Sequence, residues 1–113
     1  MTAIIEARNW LESAKKERNS QGILNSLTNL ENTLYKGKLT FGDINTGPRE
    51  IRRLKEKAYK MECNHWLLTS KRNNNLEAIQ KYEAYRKKGG FSYKETGTSQ
   101  TEIKIRKIIA KIF

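Results

Sequence analysis

Displaced by 56 residues, this chain falls on itself: Glu6, Trp10, Leu11, Lys15 and Asn19 land on Glu62, Trp66, Leu67, Lys71 and Asn75. Further along the register is 52, and Glu31, Lys36, Gly37, Thr46, Glu50, Ile51, Lys55 and Ala58 land on Glu83, Lys88, Gly89, Thr98, Glu102, Ile103, Lys107 and Ala110. The four-residue difference is about one turn of α-helix, so residues 20–23 can be an added turn or a longer loop without rotating the rest of the copy off its face. Self-similarity at this period points to stacked supersecondary units, each with an apolar face that it cannot bury alone.

The apolar spacing within each copy is helical. Ile4, Ala7, Leu11 and Ala14 predict a helix over 2–18, and Ile23, Leu27, Leu30 and Leu34 a second over 23–36, stopped at Gly37. Gly47-Pro48 opens a third, with Pro where its missing amide costs nothing and Glu50 in the first turn. Ile51, Leu54, Ala58, Met61, His65 and Leu68 carry it as one stripe to about residue 72. Leu76, Ile79 and Tyr82, with Tyr85 nearby, predict a fourth helix over 76–88, and Ser99 with Glu102 forms a capping box that starts a fifth. Along that last helix Ile105, Ile108, Ile109 and Ile112 form the expected apolar face. The connectors carry buried anchors, Leu39 and Phe41 in one copy and Phe91 and Tyr93 in the other. The predicted fold is all-α, with five helices in two imperfect hairpin repeats of 52–56 residues, about 3–58 and 59–110, forming a compact bundle or a short solenoid within a single domain 1–113.

The net charge of +11 is unevenly placed. Residues 1–50 hold seven Lys/Arg against six Asp/Glu, a net of +1, and residues 51–113 hold sixteen against six, a net of +10. Such a field implies an anionic partner, and nucleic acid, RNA or DNA, is the favoured one. The candidate contacts are Arg52, Arg53, Lys57 and Lys60 on the third helix, Arg86, Lys87, Lys88 and Lys94 around a Gly-Gly turn with two aromatics, and Lys104 and Lys107 on the fifth. They would touch phosphates without reading bases. Trp10 and Trp66, at one position of the repeat, are read as packing knobs, with base stacking as the alternative.

Chemistry is poorly provided for. Cys63 and His65 lie two apart, on different sides of a helix, and no further Cys or His exists to complete a zinc site. No Gly-rich phosphate loop, nucleophile elbow or zinc-protease signature occurs. Carboxylates that recur in both copies suit structural duties, since a catalytic pair is needed once per site. The expectation is a non-catalytic binding module without metal or cofactor, not membrane-bound and cytoplasmic. The alternative is a helical-repeat adaptor that binds protein in the groove between hairpins, and the apolar face near Ile112 leaves a homodimer open.

Overall fold

The structure is a computed structural model and describes residues 2–112. Five α-helices are present: α1 (Thr2–Lys16), α2 (Ser20–Gly37), α3 (Pro48–Asn73), α4 (Leu76–Gly89) and α5 (Gln100–Ile112). Short 3-10 turns at Phe41–Ile44 and Lys94–Thr96 lie in the connectors, and no strand occurs among the described residues. The chain divides into two compact units, residues 1–58 and 59–113, so that α3 contributes its first part to one and the remainder to the other.

The same devices build both units. Asn19 and Asn75 cap α2 and α4 through their side-chain oxygens, accepting from the amides two and three residues on at 2.8 and 3.2 Å in the first and 2.9 and 3.4 Å in the second. Residues 20–23 form an added helical turn at the start of α2, which makes α2 18 residues long against 14 for α4. At the far ends Lys38 and Gly90 adopt left-handed backbone, and the amides of Leu39 and Phe91 return to the carbonyls of Leu34 and Arg86 at 2.8 and 3.0 Å. Each connector then closes on a carboxylate: Asp43 accepts from the amide of Thr40 at 2.7 Å, and Glu95 from that of Ser92 at 2.9 Å. The hydroxyls of Thr46 and Thr98 donate to Glu50 and Glu102. Lys55 pairs with Glu31 at 2.9 Å and Lys107 with Glu83 at 2.7 Å, tying the following helix to its hairpin.

In the first unit α1 packs along α2, burying Ala7, Leu11 and Ala14 against a face that includes Ile23, Leu27, Leu30 and Leu34. In the second, Cys63, Leu67, Ile79, Tyr82 and Ile103 form the core, with Trp66, Tyr85, Phe91, Tyr93 and Ala110 packed around them. One expected face, that of α3, is corrected. On α3 the buried residues after Ala58 are Glu62, Cys63, Leu67 and Ser70, while His65 and Leu68 are exposed. Cys63, Leu67 and Ser70 are the equivalents of Ala7, Leu11 and Ala14, so the later part of α3 presents the face of an α1 helix rather than prolonging the stripe begun at Ile51. On α5 the buried residue is Ile103, and Ile105, Ile108 and Ile112 are 51, 59 and 71 % exposed. The tryptophans are half-buried rather than enclosed.

The α5 start is capped by Ser99, whose Oγ accepts from the Glu102 amide at 3.1 Å, while the Glu102 carboxylate accepts from Thr98 and Arg106 instead of closing the predicted capping box. Ser99→Ala is expected to destabilise the protein by about 1 kcal/mol, measured as a fall in the urea midpoint at unchanged slope.

Candidate nucleic-acid interface

The basic residues sort into free and engaged. Arg52, Arg53 and Lys57 are exposed on the first turns of α3, in the first unit. Lys60, Lys87, Lys88, Lys94 and Lys104 are exposed in the second, where the Lys88 ammonium lies 5.2 Å over the Tyr85 ring. Among the described residues Arg52, Arg53, Lys57, Lys87, Lys94 and Lys104 form no ion pair, so their full charge faces solvent.

Arg86 and Lys107 are different. Arg86 donates from Nη1 to the carbonyl of Phe91 at 2.9 Å, and its guanidinium lies 4.1 Å over the Tyr93 ring. The side chain is half-buried and fixes the connector after α4. Lys107, half-buried too, is held by Glu83. Sequence position made both look like surface cations, because Arg86 is engaged only when the chain turns back after α4 to bring Phe91 and Tyr93 to it, and Lys107 only by Glu83, 24 residues away.

Division by unit also redistributes the charge. The first unit has eleven Lys/Arg against seven Asp/Glu, a net of +4, and the second twelve against five, a net of +7. Part of the excess assigned to the second half therefore sits at the start of α3, on Arg52, Arg53, Lys55 and Lys57.

Glu83, Glu95 and Glu102 of the second unit are held below the ordinary carboxylate value. At Glu83 burial would raise the pKa, but hydrogen bonds from Lys107 at 2.7 Å and the Tyr93 hydroxyl at 3.0 Å, with the charges of Lys107 and Arg86, outweigh it and leave the carboxyl below its ordinary value. Glu95 is lowered by the Ser92 amide, and Glu102 by the Thr98 hydroxyl and then Arg106. A depressed carboxylate stabilises the fold fully above the ordinary carboxylate range, and that contribution is lost as pH falls through the folded value. Wild-type protein is therefore expected to lose more stability than Glu83→Gln between about pH 5 and pH 3, read from urea midpoints across that range.

His65 stands edge-on to Trp66 at 4.7 Å between ring centroids, and among the described residues no group of three or more His, Cys, Asp or Glu is placed to hold a metal ion. No described helix is long and apolar enough to cross a membrane. One feature escaped sequence reasoning: a cavity of about 330 Å³ in the first unit, walled by Trp10, Glu6 and the polar side of α2. Its signal was the pairing of small residues in one copy with large ones in the other. No protein family, curated protein or solved structure matches this chain.

Proposed function

We propose that the chain is a non-catalytic module that binds nucleic acid through Lys/Arg–phosphate contacts. The observation that supports this reading is the set of exposed cations without carboxylate partners, Arg52, Arg53, Lys57, Lys87, Lys94 and Lys104, within a chain of net charge +11. Solvated cations next to a polyanion release its condensed counterions, which gives affinity without base readout and leaves specificity to shape. Titration of labelled single- and double-stranded oligonucleotides against the protein over a range of salt tests it. Binding should be micromolar or weaker, about 10⁻⁴–10⁻⁶ M, at physiological salt and should fall linearly on log–log axes.

A second reading, a protein-interaction module that includes self-association, draws on a different observation. The exposed Arg53, Glu56, Lys57 and Lys60 of α3 correspond to Ile105, Ile108, Ile109 and Ile112 of α5, of which Ile105, Ile108 and Ile112 are more than half exposed. An apolar face where the repeat elsewhere places charge suits a protein surface better than a polyanion. Copurification with and without nuclease separates the two, because a protein partner survives the treatment and nucleic acid does not.

A further inference from the structure

The two hairpins share a polar site that one copy fills and the other leaves open. In the second unit the Lys81 ammonium lies 4.3 Å from the ring centroid of Trp66, whose indole N–H donates to Glu62 at 2.9 Å. Lys81 is also 3.3 Å from Glu77, and alongside, Tyr59 and Tyr85 meet with ring centroids 6.2 Å apart. The repeat registers place Ala3 at Tyr59, Glu6 at Glu62, Trp10 at Trp66, Asn29 at Lys81, Thr33 at Tyr85 and Lys36 at Lys88. The indole and the carboxylate are kept, while the cation and both tyrosines become small residues. All six first-unit residues line the 330 Å³ cavity.

We propose that this cavity binds an alkylammonium group on the face of Trp10, taking the place that Lys81 holds in the second unit. An aromatic face attracts a cation through its quadrupole, most strongly for tryptophan, and more so where water is partly excluded. Glu6 supplies the anionic wall that its counterpart Glu62 provides beside Trp66. Lys36 lines the same cavity, and its charge is balanced by that of Glu6. The second unit carries Glu62, Glu77, Lys81 and Lys88 at this site, and the first carries Glu6 and Lys36, one cation and one carboxylate fewer. Asn29, Asn32 and Thr33 offer amide and hydroxyl oxygens to the ammonium protons. The inference stands independently of nucleic-acid binding, because none of the residues lining the cavity is assigned to that surface.

The test uses isotope-labelled full-length protein, with the two tryptophan indole N–H resonances assigned through Trp10→Phe. One arm titrates n-butylammonium chloride against sodium chloride at matched ionic strength, and the other titrates Nα-acetyl-lysine N-methylamide. In both, the Trp10 resonance should move saturably while that of Trp66 stays in place. Asn29→Lys, which supplies the missing internal cation, should weaken binding about tenfold or more, and Glu6→Gln should weaken it severalfold. Tighter binding of the lysine amide supports a lysine side chain as the source of the ammonium, and equal or weaker binding supports a free amine. The proposal is overturned by a Trp10 resonance that follows only ionic strength, by equal movement of both resonances, or by an unchanged response in folded Asn29→Lys. Movement with adenosine monophosphate but not with either amine would overturn it in favour of base stacking.

Discussion

Tyr82→Ala should cost about 3–5 kcal/mol and leave the second unit largely unfolded at modest denaturant, as expected for loss of a fully buried aromatic side chain. Tyr82 is 0 % exposed at the centre of a core that also holds Cys63, Leu67, Ile79 and Ile103. Its hydroxyl lies 2.6 Å from that of Thr96, which in turn donates to the Tyr93 carbonyl at 3.0 Å. Tyr82 is therefore the donor of the pair, and Tyr82→Phe removes one bond while Thr96 keeps a partner for its own proton. That variant should lose only about 0.5–1.5 kcal/mol. The contrast between the two is the informative measurement. If Tyr82→Ala were no worse than Tyr82→Phe, the ring would not be a core element at all. The first unit places apolar Leu30 and Ile44, both buried, at the equivalents of Tyr82 and Thr96, so one copy solves with carbon contacts what the other solves with paired hydroxyls.

Reversing Arg52, Arg53, Lys87 and Lys94 to glutamate is expected to abolish nucleic-acid binding while leaving the helical circular dichroism signal in place. Each reversal removes two units of charge, so the four take the net charge from +11 to +3. All four side chains are exposed, and none forms an ion pair among the described residues, so their loss leaves no buried partner unsatisfied. Affinity at low salt should drop by at least about a hundredfold, and the log–log salt slope should shrink by about 0.7–0.9 for every phosphate that is no longer neutralised. Arg86 is left out deliberately, since reversing it would break its contacts to Phe91 and Tyr93 and confound loss of binding with loss of fold. A folded wild-type protein that binds no DNA or RNA at low salt would remove the proposal and favour a protein partner.

Local chemistry was the legible part of the sequence. The recurrence of Asn19 at Asn75, of Thr46-Glu50 at Thr98-Glu102, and of Glu31 and Lys55 at Glu83 and Lys107 marks caps and ties that the structure forms in both units. Each depends on a short side chain meeting a nearby amide, or on one pair repeated at one spacing. The helical faces were harder to read. On α3 two apolar sets of different phase follow one another in an uninterrupted helix, and a single periodicity drawn through both selects His65 and Leu68 instead of Cys63 and Leu67. On α5 several isoleucines satisfy helical spacing, yet the buried position is fixed by Ile103 and by the Lys107–Glu83 tie, which only the packed hairpin supplies. The cavity beside Trp10 was hidden for a related reason. It is defined by what Ala3, Asn29 and Thr33 lack, and that absence has meaning only once Tyr59, Lys81 and Tyr85 are seen to gather in the other copy.

The single thiol of the chain, Cys63, sits at the same core position as Ala7 and is 0 % exposed. Burial pushes its pKa up to about 11, so at neutral pH it is almost wholly protonated as well as shielded. A protonated, shielded sulfur is a poor nucleophile, and an alkylating reagent can reach it only during excursions that expose the interior of the second unit. The rate of covalent capture then reads the frequency of those excursions, with the closed state silent. The protein thus carries a one-atom clock for the breathing of one unit, wound by the same packing that keeps the sulfur inert.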